Sequence, residues 1–328
     1  MSSDIQGGDI PTERLRELTT LSGRFSDSKN ILQFLLQAEK PQQSNLGIEP
    51  VVFTRGDDRT DIVNTDQAQF LQSQIEEACK NSSSFLVLTP EFSLYSKLDK
   101  ADPLVFDDKG NIIHGQNSVV EVFNQTKALA KKYNKNIVLS SLCEKRILSN
   151  GTAVVLNTTA IILPNGEIVF RKKVGEIYTN KNNEWAERTQ DVQAAIGNPD
   201  LTQVTDPDVK EIVELTYGSL KPIAIQDNDG RKHELVVVVC QERGLKSTYQ
   251  NLADSIDIVA VPISEGSFST NRDVSAVTAY GESAAIREQL GEKFNGKNVT
   301  IAMTNERTNR ASVIGYDEVR EITSIYLK

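Results

Sequence analysis

Four consecutive valines, Val236–Val239, form the centre of the most apolar segment of the chain, Glu234–Cys240. A strand without polar alternation is typical of a sheet that is buried on both faces, as parallel sheets covered by helices are. Amphipathic patterns at Thr65–Lys80 and Val119–Lys132 predict helices that can provide such a cover. The chain is therefore predicted to have an α/β fold.

Short apolar and β-branched segments predict the other strands. They lie at Pro50–Thr54, Phe85–Leu88, Asn136–Leu142, Ala153–Asn157, Thr159–Leu163, Glu167–Arg171, Ile256–Pro262 and Val299–Thr304, with a final hairpin around Ala311–Gly315 and Glu321–Tyr326. A further helix is predicted near Ala284–Phe294. The polar segment Gly175–Pro222 lacks a strong strand pattern and is predicted to be a long loop, which is typical of functional or disordered segments.

The predicted strands start only after an N-terminal segment of different character. Residues 1–46 are polar, carry two short helical patterns and end in a Gln/Ser/Asn-rich stretch, so we predict an N-terminal helical extension and linker. Residues 47–328 then form one domain, since α/β folds of this length often make a single unit.

Composition excludes several classes of function. The net charge is −9, and the longest basic run is Arg171–Lys173, which argues against a nucleic-acid partner. No apolar segment is long enough for a membrane helix, and the first residues lack the apolar core of a signal peptide. Three cysteines, an odd number, favour a reducing compartment, so a cytoplasmic location is predicted. Only two histidines are present, which argues against a metal site and against a serine or cysteine nucleophile activated by histidine.

Three residues with useful chemistry follow predicted strands: Glu91, Lys172 and Cys240. Each has an ordinary interpretation by itself, as a solvated carboxylate, a surface charge and a small buried hydrophobic residue. Together they provide a general base, a positive charge and a nucleophile, which is sufficient for attack on an acyl carbon without histidine. The nearby lysine predicts a depressed pKa for the Cys240 thiol.

The sequence around these residues resembles three motifs of the nitrilase superfamily of carbon–nitrogen hydrolases. Leu86–Glu91 is similar to the first motif, an apolar strand ending in Pro-Glu, and Leu156–Lys172 to the second, with its Asn-Thr strand and aromatic-Arg-Lys ending. Val236–Glu242 is similar to the third, an apolar strand ending in Cys-x-Glu. The resemblance covers roughly Pro50–Tyr326.

This resemblance implies a four-layer α-β-β-α sandwich, paired into a homodimer. It also implies a cysteine-dependent amidohydrolase that cleaves the C–N bond of a small amide, carbamoyl compound or nitrile through an acyl-thioester, with no cofactor. Glu91, Lys172 and Cys240 take the roles of base, electrophilic support and nucleophile.

The same resemblance implies a second catalytic glutamate between the lysine and the cysteine. Glu176, Glu184 and Glu187 are candidates, and Glu187 matches the family's apolar-Glu-Arg context best. Candidate substrate-binding residues follow the strand ends, although each aromatic residue among them could equally belong to the core: they are Phe92, Tyr95, Trp185 and Gln241.

Two departures from the family pattern keep other functions open. Ser140-Ser141 stand where a glycine is common, and Gln241 replaces the usual aromatic residue after the nucleophile. A binding or regulatory protein that retains the fold without catalysis is therefore an alternative. Acyl transfer to an amine instead of water is another, because it uses the same thioester.

Overall fold

The computed structural model describes residues 46–51, 65–95, 102–181, 184–187, 204–240, 255–264, 299–305, 310–314 and 319–323, together with 242, 248–249 and 286. The predicted N-terminal extension lies outside these residues except for Leu46, and so do positions 52–54 of the first predicted strand. Of the predicted helix at 284–294, only Ile286 is described, and it is helical and buried.

The described part of the chain contains three long helices: α1 (Thr65–Lys80), α2 (Asn117–Tyr133) and α3 (Pro207–Tyr217). The bounds predicted for α1 are confirmed. Its buried face, however, is formed by Ala68, Leu71, Ile75 and Cys79. Phe70, the residue before Leu71, is 39% exposed and does not belong to that face. None of the helices described is both long and apolar enough to cross a membrane.

The strands are β1 (Ile48–Pro50), β2 (Leu86–Leu88), β3 (Val105–Phe106), β4 (Ile112–His114), β5 (Asn136–Ile147), β6 (Ala153–Ile162), β7 (Ile168–Lys181), β8 (Glu184–Glu187), β9 (Ile223–Gln226), β10 (Lys232–Val237), β11 (Ile258–Ile263), β12 (Thr300–Asn305), β13 (Arg310–Ile314) and β14 (Val319–Thr323). They form a first sheet in the order β1-β2-β5-β6-β7-β8 and a second in the order β14-β13-β12-β11-β10-β9. The strands β3 and β4 pair separately as a hairpin. The molecule is thus a mixed α/β protein.

The predicted loop between Gly175 and Pro222 is wrong in two places. Strand β7 continues to Lys181 and pairs antiparallel with β8, although this segment is polar. Helix α3 begins at Pro207, where the Asp206 carboxylate accepts hydrogen bonds from two backbone N–H groups of the first turn. An Asp-Pro start of this kind is a recognised helix signal, and the sequence therefore carried the information for α3.

Three layers can be followed through the described residues. Leu86, Leu88 and Val138 of the first sheet join a core cluster with the valines of the second sheet, so the two sheets pack face to face. On its other face, the first sheet is covered by α1 and α2. Helix α3 packs against β6 and β7. The segments after β2 and β10 and the middle of β7 carry the residues of the candidate site.

Candidate functional site

Three consecutive basic residues of β7 each form an ion pair with a different buried glutamate. Arg171 Nη2 lies 2.8 Å from Glu242 Oε1, Lys172 Nζ lies 3.4 Å from Glu144 Oε2, and Lys173 Nζ lies 2.7 Å from Glu91 Oε1. A buried charge is costly unless an opposite charge compensates it. Each of the three cations is therefore balanced by a buried carboxylate, and Glu144 also pairs with Arg146 at 3.6 Å. The three pairs fix β7 relative to three other segments.

The structure brings Lys173, and not Lys172, to Glu91. Side chains of a strand alternate between its faces. Phe170 packs on the helix side of the first sheet and Val169 on the side of the second sheet. Lys172 has the parity of Phe170, and Lys173 that of Val169. The lysine beside Glu91 is therefore Lys173, and Lys172, to which the family resemblance gives the role of electrophilic support, pairs with Glu144 instead.

Glu91 is fully buried just after β2 and accepts two hydrogen bonds at one carboxylate oxygen. Lys173 Nζ donates to Oε1 at 2.7 Å, and Asn157 Nδ2 donates to the same atom at 3.1 Å. Asn157 lies on β6, which pairs with β7, so the two donors come from adjacent strands. Asn157 belongs to the motif Leu156–Lys172, but its contact with Glu91 follows from the three-dimensional structure and is not visible in the sequence.

Cys240 follows β10 and meets both members of this pair. Burial, the charge of Glu91 and a hydrogen bond to the Glu91 carboxylate raise the pKa of the Cys240 thiol to about 12. The charge of Lys173 and a hydrogen bond from the Ser264 backbone lower this pKa, but they are outweighed. The predicted depressed pKa is therefore wrong. The thiol is protonated near neutral pH, so it needs a base at the moment of attack.

Cys240 has a left-handed backbone conformation, with φ at 49°. Non-glycine residues rarely adopt this conformation, which is strained and is often found at active sites. Phe92, directly after Glu91, has φ at 55°, and Ser141 has φ at 63°. Ser141, one of the two serines that stand where a glycine is common in the family, lies in an irregular stretch of the pairing between β5 and β6. Ser141 therefore adopts the left-handed backbone conformation that glycine favours, although it is not a glycine.

The candidate substrate-binding residues lie in different surroundings. Phe92 is near the site, since its ring centroid lies 5.6 Å from Lys173 Nζ. Tyr95 is fully buried in the core beneath α1 and α2, where burial holds its pKa well above the usual value. That position fits a core residue and does not fit a pocket wall. Trp185 and Glu187 belong to β8, whose backbone pairs with β7, and Gln241 lies outside the described residues.

The arrangement can carry out acyl chemistry. A thiol that donates a hydrogen bond to a buried carboxylate can lose its proton as it attacks an electrophilic carbon. The ammonium of Lys173, fixed beside the same carboxylate, can stabilise the negative charge that develops on the attacked group. In the described parts of the chain, no three His, Cys, Asp or Glu side chains are grouped as they would be to bind a metal ion.

No protein-family model and no curated protein sequence matches the chain. It is similar to the solved structure of a carbon-nitrogen hydrolase from Helicobacter pylori G27, with a TM-score of 0.47 and 15% identity, over 84% of this chain and 87% of that one. For the NitN amidase of Nesterenkonia sp. AN1 the TM-score is 0.45 and the identity 12%, over 85% and 92% of the two chains. For the C. elegans NitFhit protein the TM-score is 0.47 and the identity is 14%, over 84% of this chain and 60% of that one.

These similar structures are carbon–nitrogen hydrolases and amidases, the class whose motifs the sequence resembles. Each identity is low and each TM-score lies below 0.5, so the functional proposal rests on the geometry of Glu91, Lys173 and Cys240 in this chain.

Proposed function

We propose that the protein is a cysteine-dependent amidohydrolase that cleaves a non-peptide C–N bond of a small molecule through an acyl-thioester. The observation that supports this best is the convergence of three groups from separate segments of the chain. The Glu91 carboxylate is bonded to Lys173 at 2.7 Å and also accepts a hydrogen bond from the Cys240 thiol. A base, a nucleophile and a fixed positive charge therefore share one buried location.

The proposed reaction of an amide starts with proton transfer from the Cys240 thiol to Glu91 as the sulfur attacks the carbonyl carbon. The oxygen of the tetrahedral intermediate carries a negative charge that Lys173 stabilises. Glu91 then returns the proton to the leaving nitrogen, the C–N bond breaks, and ammonia or an amine departs. A water molecule, deprotonated by Glu91, attacks the thioester and releases the carboxylic acid and the free thiol.

Several features of the family resemblance belong to this proposal. Residues 47–328 form a four-layer α-β-β-α domain. The protein acts as a homodimer without a cofactor. Glu187 serves as a second catalytic glutamate. Lys173 takes the role that the sequence alone had assigned to Lys172.

Covalent trapping tests the proposed function. The protein is incubated with a panel of short aliphatic amides and nitriles, ammonia is assayed, and acid-quenched samples are digested and analysed by mass spectrometry. We expect ammonia release together with an acyl adduct on the peptide that contains Cys240, because hydrolysis proceeds through the thioester. The peptides of Cys79 and Cys143, both buried thiols, are the internal controls and should stay unmodified.

Ammonia release without an adduct on Cys240 under rapid quenching would reject the thioester mechanism. Neither ammonia nor adduct from any amide or nitrile would favour a binding protein with this fold. An adduct that persists in water alone and is released only when a primary amine is added would point to acyl transfer.

A further inference from the structure

The Glu242 carboxylate connects the segment that carries the nucleophile to the strand that carries the lysine. Its Oε2 accepts a hydrogen bond from the backbone N–H of Val239 at 2.7 Å, the residue directly before Cys240. Its Oε1 accepts one from the backbone N–H of Val174, the residue directly after Lys173. One buried side chain therefore bonds to the immediate neighbours of both the thiol and the ammonium.

The same carboxylate is held in place by a buried arginine. Arg171 Nη2 donates to Glu242 Oε1 at 2.8 Å, and Arg171 Nε donates to the Val237 carbonyl of β10 at 3.2 Å. The backbone of Glu242 contributes as well, because its N–H donates to the Val239 carbonyl and closes the turn around Cys240. The left-handed conformation of Cys240 lies within this turn, so these bonds oppose its relaxation.

Glu242 makes these contacts only as a carboxylate. Two acceptor oxygens face three donors: two backbone N–H groups and the guanidinium. A glutamine in the same position would direct its NH₂ group at one of these donors, which leaves a buried N–H without a partner. The chemistry of the contact thus demands an ionised side chain with both oxygens available.

We infer that Glu242 is a positioning residue, which sets the distance of Cys240 from Lys173 and Glu91 through its bonds to Val239 and Val174. This inference rests on the proposed amidohydrolase function and deepens it. Glu242 acts through the backbone, so its loss should affect the chemical step more than substrate binding. A misplacement of about 1 Å at a reacting group costs about 100-fold in rate.

Glu242→Gln and Glu144→Gln form a matched pair for the test. Glu144 is also buried and paired with a lysine of β7, since it bonds Lys172 and the Thr158 hydroxyl, but it lies on β5. We expect Glu242→Gln to lower kcat about 100-fold with KM nearly unchanged, and Glu144→Gln to retain kcat, while thermal unfolding shows similar destabilisation of both. Glu242→Asp keeps the charge but shortens the side chain, so its kcat should lie between those of Glu242→Gln and the wild type.

A second readout separates this inference from the proposed function. The pH dependence of Cys240 alkylation by iodoacetamide reports the thiol pKa whether or not an amide is turned over. It should shift towards the ordinary thiol value in Glu242→Gln, where the thiol leaves Glu91, and stay in place in Glu144→Gln. If alkylation shows this shift but the wild type turns over no amide, the proposed function is rejected while the inference about Glu242 stands.

The inference would be overturned if Glu242→Gln and Glu144→Gln had the same kcat and the same titration of the Cys240 thiol. Equal losses of kcat in the two variants would overturn it as well. If Glu242→Gln does not fold, Glu242→Asp provides the test. A folded Glu242→Asp variant with lowered kcat and unchanged KM supports the inference, and one with wild-type kcat overturns it.

Discussion

Lys173→Met is expected to lower kcat for amide hydrolysis about 10³-fold, whereas Lys172→Met should leave kcat close to the wild-type value. Lys173 Nζ lies 2.7 Å from Glu91, which itself bonds the Cys240 thiol, so the ammonium is in place to stabilise the oxyanion. Removal of one such group typically costs about 10²–10³-fold in rate. Lys172 is directed to Glu144 on β5.

Protein stability provides the control for this pair of variants. Each substitution leaves one buried glutamate without its lysine, which costs about 3–5 kcal/mol in the free energy of unfolding. Denaturant unfolding should therefore show a loss for both proteins, while steady-state kinetics separates them. Loss of kcat in Lys172→Met, with activity retained by Lys173→Met, would restore the assignment made from the motif and contradict the structural one.

Glu91→Gln is expected to lower kcat about 10²–10⁴-fold, the usual contribution of a general acid–base residue. The amide oxygen of glutamine can still accept a hydrogen bond from Lys173, but it cannot take the thiol proton or return a proton to the leaving nitrogen. Both acylation and hydrolysis of the thioester need that transfer, so the two steps should slow together. Rapid-quench mass spectrometry measures them separately.

The same variant should make the thiol more acidic. The charge of Glu91 and its hydrogen bond both raise the pKa of Cys240, while Lys173 lowers it. Without Glu91 the pKa falls, so the thiolate fraction near neutral pH rises. Alkylation by iodoacetamide should therefore accelerate while amide turnover collapses. Amide turnover that rises in parallel with the thiolate fraction would contradict the role of Glu91 as a base.

Helices and strands with a strong apolar periodicity could be predicted from the local sequence. The bounds of α1 follow from its apolar spacing, and the buried valines of β10 mark a central strand that leads to Cys240. Residues Glu91 and Cys240 were identified because each directly follows such a strand. In the structure the two residues lie close together, because the charge of Glu91 and a hydrogen bond to its carboxylate both act on the Cys240 thiol.

The errors arise where the three-dimensional context overrides the local pattern. Lys173 replaces Lys172 because strand parity decides which lysine faces the second sheet. Asn157 and Glu242 act through partners that are distant in sequence. The predicted direction of the Cys240 pKa was wrong, because burial and the charge of Glu91 raise this pKa by more than the charge of Lys173 lowers it. The periodicity of a single chain segment cannot predict contacts between residues that are distant in sequence.

The most direct test of the account is a site-resolved titration of Cys240, with alkylation followed by mass spectrometry from neutral to alkaline pH. Wild-type protein and Glu144→Gln should both show a thiol with a pKa of about 12, and Glu91→Gln should show one that is clearly lower. Cys79, whose pKa burial also raises to about 12, is the internal reference and should not change in any variant. A Cys240 titration that is identical in wild type and Glu91→Gln would mean that the carboxylate and the thiol do not meet.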